Sequence, residues 1–173
     1  MTSRPRDTLL NAVRFLLGLA MAVVAFAAGA LLIAIPVVLF MRDKVMIHIA
    51  APSTPHGAIW AIIALLAFGA AAAVMGFYFF RHLFRIVGSV GAGDAFAPIN
   101  AQRLSAMGWI TVVVHIIGIP MGALAHWVQS VTENFHAEIA ISPSGILLAL
   151  ILFILARVFR QGAAMREELE GTV

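Results

Sequence analysis

The sequence predicts an all-α, polytopic membrane protein: a four-transmembrane-helix bundle, one domain over residues 1–173, with both termini in the cytoplasm. Three observations predict it. The composition is too apolar for water, four segments are long enough to cross a bilayer, and the basic residues fall on one side of them. The chain is 62% hydrophobic and 11% charged, and its mean hydropathy is +1.02. A soluble domain is about a quarter charged and about half apolar. The surplus apolar surface here has to face lipid.

The first span covers residues 9–41, "LLNAVRFLLGLAMAVVAFAAGALLIAIPVVLFM", interrupted only by Asn11 and Arg14. Arg4 and Arg6 precede it, as in a signal peptide. A signal peptide's apolar stretch, however, is about 7–15 residues long, so this one is expected to stay as a helix. The second span is residues 57–88, the third 103–129 and the fourth 144–165, with helix continuing through "REELE". Each exceeds the roughly 20 residues a bilayer requires. The first two exceed it enough to need tilt or a kink. Pro36 and Pro120 supply kink positions in the first and third helices.

With the termini inside, the inner segments hold Arg4, Arg6, Arg14, Arg81, Arg85, Arg103, Arg157, Arg160 and Arg166, and the outer loops hold only Arg42 and Lys44. That asymmetry is the positive-inside pattern. It also accounts for the pI near 10.6 without any nucleic-acid-binding patch. The expected location is the inner membrane of a bacterium. Small-residue pairs (Gly118 with Gly122, Ala25 with Gly29, Gly69 with Ala73, Ala72 with Gly76) offer close helix approach, although Ala-rich helices also produce such pairs by chance.

The inner connection is the most structured part of the sequence. In "FYFFRHLFRIVGSVGAGD" apolar residues alternate at helical spacing with Arg81, His82 and Arg85, an amphipathic end leaving the membrane. The glycines terminate that helix. In "DAFAPINAQRLSAMGW" Phe96 can tuck under the helix ends, Pro98 fixes an extended lead-in, and Asn100 is the expected N-cap of the third helix.

The element Ala95-Phe96-Ala97-Pro98-Ile99-Asn100 with Arg103-Leu104, and the ending "VFRQGAAMREELEGTV", resemble the bacterial membrane family catalogued as domain of unknown function 2975. That family is similar in having four spans, a "PF-x-PEN-x-x-RL" type element after the second, and an ending of the "VFREGARLREENELTV" type. Ala95 and Ile99 stand where the family has Pro and an acidic residue. The resemblance implies no enzymatic activity. Because the family's genes often lie beside one for a small helix-turn-helix regulator, it implies a membrane protein that holds or regulates such a partner.

Both family-like elements fall on the inner face. The functional expectation is therefore a non-enzymatic regulatory or scaffolding protein with a docking surface made of Asp94, Phe96, Pro98, Asn100, Arg103, Arg157, Arg160 and Arg166. Phe96 would be the apolar anchor and the arginines an electrostatic frame. The simpler account of each arginine is that it snorkels to lipid headgroups. Arg166 can also pair locally with Glu170. The expected partners are the bilayer, a cytoplasmic or membrane protein and, as an open option, a second copy of the chain. Direct nucleic-acid contact is not expected.

The rival reading is a small haem-, metal- or ion-handling subunit. His115 lies near the middle of the third span, and His126 sits three turns further on nearly the same face. Intramembrane ionisable residues are functional candidates by default, and His ligates haem iron. A facing His at matching depth is missing, since His82 lies near the inner surface. His48, His56 and His136, with Asp43, Glu133 and Glu138, fall in outer loops and have the chemistry, though not a tight spacing, for zinc or copper. The absence of cysteine excludes thiol chemistry and disulfides. No serine elbow, HExxH or dinucleotide-binding glycine pattern is present. No cofactor is therefore assigned and no enzyme is expected.

Overall fold

The computed structural model describes residues 8–49, 57–132 and 143–170. They form five helices: α1 (Thr8–Phe40), α2 (Arg42–Ile49), α3 (Ala58–Gly91), α4 (Pro98–Val131) and α5 (Ser144–Glu170). No strand occurs among the described residues. α1, α3, α4 and α5 are long and apolar enough to cross a membrane. Side chains such as Phe15, Phe26, Trp60, Trp109 and Ile154 stand exposed along them, which suits a lipid environment and not water.

The boundaries follow local chemistry. α4 begins at Pro98, earlier than the expected 103, because proline is pre-organised for the first helical position and needs no partner for its missing N–H. α5 runs through Glu170, as "REELE" suggested. α2 was not anticipated. Its eight residues, RDKVMIHI, show no apolar period, and the turn at Met41 links it to α1 through Met41 N–H donating to Val37 O at 2.9 Å and Val45 N–H to Met41 O at 3.0 Å. Pro36 and Pro120 are accommodated inside α1 and α4, where each removes one backbone hydrogen bond.

The residues fall into two compact units. The first comprises the described residues within 1–23, 76–112 and 144–173. Its core is Ile86, Leu104, Met107, Leu152 and Ala156, with Phe79, Leu83 and Phe159 packed against it. These recur three and four residues apart on α3, α4 and α5, as one apolar stripe per helix requires. Gly108 makes room there, because a Cβ would come within 2.8 Å of Cε1 of Phe153 and force the ring to shift. The Phe153 ring meets Trp109 edge-on at 5.5 Å.

The second unit comprises the described residues within 24–75 and 113–143. Ala61, Leu65, Ala125 and Val128 form its core, flanked by Ile62, Met121 and Leu124. The small-residue reading is corrected here. A Cβ on Gly29 or Gly118 would meet nothing within 4 Å, and one on Gly69 would make only ordinary contact with Leu31 and Met121. Close approach occurs instead at Gly108 and Gly162, and both receive phenylalanine rings, not helix backbone.

Candidate functional site

The site lies wholly in the first unit, where α3 ends, α4 begins and the last turns of α5 pass. α3 ends because Gly93 adopts φ +86°, the left-handed conformation that costs a side-chain-bearing residue about 1–2 kcal/mol. Asp94 N–H then donates to Ser89 O at 3.0 Å and Gly93 N–H to Val90 O at 3.0 Å. This is the paired closure that satisfies a helix's last carbonyls. Arg14 of α1 adds a side-chain cap, its Nη2 donating to Gly88 O at 3.0 Å. The guanidinium lies against Gly88 and Gly91, where a Cβ would meet Nη2 at 3.6 and 3.2 Å.

Asn100 is the hub of the connection and is completely buried. It does not cap α4. With Pro98 as the first helical residue it sits in the first turn, and its side chain reaches back. Nδ2 donates to Ser89 Oγ at 2.6 Å and to Ala95 O at 2.9 Å, while Oδ1 accepts from Arg103 Nη1 at 3.0 Å. The same Nη1 reaches Arg85 O at 3.3 Å, and Ser89 Oγ donates onward to Ile86 O at 2.8 Å. One buried amide thus ties the end of α3, the loop and the start of α4. Burial in a satisfied network gives a unique conformation, because every alternative leaves polar groups unpaired.

The loop is fastened to α5 by two contacts. Phe96 packs on Phe159, ring centroids 5.3 Å apart, and its edge sits directly over Gly162, where a Cβ would fall 2.6 Å from Cδ1. Asp94 Oδ1 meets Arg166 Nη1 at 2.7 Å. Arg166 therefore reaches across to the loop; the side chain of Glu170, its expected local partner, lies outside the described residues. Beside these contacts opens a hollow of about 300 Å³ lined by Asp94, Phe96, Pro98, Ala163, Arg166 and Glu167. Its size is at the lower end for ligand sites, enough for one or two side chains.

Four residues expected to share a surface thus line one hollow: Asp94, Phe96, Pro98 and Arg166. Phe96 is 44% exposed, half anchor and half clasp. Asn100 and Arg103 support the loop from behind, and Asn100 has no surface to offer a partner. Arg157 and Arg160 stand exposed on α5. Ala163 and Glu167 were missed, although on one helix Ala163 lies four residues after Phe159, three before Arg166 and four before Glu167.

The histidines are dispersed. His115 is half-buried and His126 exposed, both on α4. Eleven residues at about 1.5 Å each separate them by roughly 16 Å, too far to ligate one ion. His56 and His136 lie outside the described residues, as does the side chain of His48. Among the described residues no three His, Cys, Asp or Glu side chains converge on a point.

Neither curated proteins nor solved structures offer a match to the chain. The profile of the family described as "Protein of unknown function (DUF2975)" matches residues 44–173, a stretch that contains the loop, α5 and every residue lining the hollow. The chain belongs to that family.

Proposed function

We propose that the protein is a multi-pass inner-membrane protein that acts without catalysis, as a regulatory or scaffolding subunit holding a soluble partner at its cytoplasmic face. The observation that carries the reading is the hollow between the loop and α5. It combines an apolar floor of Phe96, Pro98 and Ala163 with a charged rim of Asp94, Arg166 and Glu167. A half-exposed aromatic in a shaped depression is what an interface anchor needs. The loop is already fixed by the Gly93 turn and the Asn100 network, so binding it costs little ordering entropy. The cytoplasmic placement rests on the nine-to-two distribution of basic residues. The occupant is an apolar side chain on a cytoplasmic protein, flanked by carboxylates that find Arg157 and Arg160, which form no ion pair among the described residues. The small helix-turn-helix regulator implied by the family's gene neighbourhood is the first candidate.

The test is site-specific photocrosslinking in cells that co-express that regulator. A photoreactive residue at Glu167 should give one discrete protein adduct, and one at the outward-facing Ile154 should not. Ala163→Leu fills the hollow from a residue outside the Phe96–Phe159 ring pair and the Asp94–Arg166 ion pair, and should abolish the adduct at unchanged melting temperature. Equal labelling from Glu167 and Ile154, or an adduct indifferent to Ala163→Leu, would refute the assignment.

A further inference from the structure

A second charged cluster lies on the α3–α4 side of the same unit. Arg81 and Arg85 stand one turn apart on α3 and both are exposed. Like charges at that spacing repel by about 0.2–0.5 kcal/mol, and nothing described offsets it: among the described residues no carboxylate forms an ion pair with Arg81, Arg85 or Arg103. Arg103 is held beside them, its Nη1 on Arg85 O at 3.3 Å and on Asn100 Oδ1 at 3.0 Å. The rest of its guanidinium makes no hydrogen bond among the described residues. His82 lies within the positive field of all three arginines, and its buried Nδ1 has no hydrogen-bond partner among the described residues. Phe80, Leu83 and Phe84 alternate with these residues, so the cluster sits where an apolar helix surface gives way to a polar one. In a bilayer that is the depth of the phosphates.

The geometry points to a phosphate-binding site formed by Arg81, Arg85 and Arg103, occupied by the headgroup of an anionic phospholipid. A phosphodiester supplies the missing negative charge and accepts from guanidinium N–H groups in pairs. Its acyl chains lie along the apolar residues interleaved with the arginines. The Asn100 network holds Arg103 in place before any lipid arrives. This site shares no lining residue with the docking hollow and does not depend on it.

The experiment is native mass spectrometry of the full-length protein in mild detergent, titrated with short-chain phosphatidylglycerol. Phosphatidylcholine and soluble glycerol 3-phosphate serve as the other probes. Phosphatidylglycerol should be retained at one per chain and phosphatidylcholine should not. The pair R81Q/R85Q should weaken retention at least about tenfold, as expected for loss of charge-assisted hydrogen bonds. R42Q/K44Q, which removes the same charge elsewhere, should leave retention unchanged within about twofold. Arg81 and Arg85 are both exposed, and no ion pair holds either side chain among the described residues. Should the double variant nevertheless misfold, Arg85→Lys keeps the charge, loses the paired grip and should show a smaller loss. Equal weakening by both double variants, or equal retention of the two lipids, would overturn the proposal. Displacement of the lipid by glycerol 3-phosphate at comparable concentration would overturn it in favour of a soluble phosphate.

Discussion

Replacing Gly162 by alanine tests the loop–α5 clasp directly. Gly162 lies within α5, where glycine is worse than alanine by about 0.5–1 kcal/mol. An ordinary helix would therefore gain from the change. Here the new Cβ would fall 2.6 Å from Cδ1 and 2.8 Å from Cε1 of Phe96. Real Cβ atoms do not come so close, so the ring must shift off α5. Phe96 is 44% exposed, so it gives up a little over half of its surface, about 100 Å² at a typical aromatic size, worth about 2.5 kcal/mol. Subtracting the helix gain leaves a net loss of about 1.5–2 kcal/mol. Gly118→Ala is the internal control, since its Cβ would meet nothing within 4 Å, and it should stabilise by up to about 1 kcal/mol. Thermal unfolding of both variants in one detergent should give shifts of opposite sign, several degrees apart. A Gly162→Ala protein at least as stable as Gly118→Ala would show that Phe96 is not seated on α5.

Three further outcomes are expected. Asn100→Ala leaves Ser89, Ala95 and Arg103 without their shared partner and should cost about 2–3 kcal/mol in the same melts, while Ser130→Ala, a local and exposed hydroxyl, should change little. Gly93→Ala should cost about 1–2 kcal/mol and Gly93→Asn distinctly less, because asparagine tolerates the left-handed region. The half-exposed Asp94–Arg166 pair should contribute only about 0.2–1 kcal/mol in a double-mutant cycle, shrinking in high salt; a larger coupling would mean that the pair, and not the Phe96 contact, closes the loop.

The four long helices were legible because their cause is local: an apolar run of sufficient length needs no knowledge of its neighbours. The start of α4 was less so. Residues 98–102, PINAQ, are too short and mixed a stretch to show an apolar period, and only the rule that proline favours the first helical position marks them as helix. The N-cap assignment of Asn100 failed for the same reason, because moving the helix start to Pro98 turns a capping residue into a buried one. That the loop and the C-terminal ending share a face was legible, but the particular contacts between them were not. Nothing local distinguishes Gly162, on which Phe96 rests, from Gly118, which meets nothing. The GxxxG spacing pointed to the wrong glycine, because spacing reports which residues share a face and not what lies opposite it. Asp94, Phe96, Pro98 and Arg166 were legible as neighbours because the loop's turn chemistry and the family-like ending are both local signals. The division of the expected docking residues into lining and support depends on burial, which appears only when the segments are brought together.

That division bears on how a short loop on a membrane protein becomes rigid. A six-residue connection between two long helices has few ways to be rigid, since it cannot build a core of its own. This one is fixed by parts that belong to its neighbours: the last carbonyls of α3, an amide from the first turn of α4, and a glycine on α5 that leaves room for its one aromatic ring. Each removes a different freedom. The Gly93 turn sets the exit direction, Asn100 sets the height of Ala95, and Gly162 sets the rotation of Phe96. None of these residues needs to touch a partner. Their substitution would degrade binding through loss of shape, whereas changes at Ala163 or Glu167 would alter it through contact. Stability and partner affinity should therefore fall together for the first set and separately for the second. A plain structural turn has no reason to show that separation.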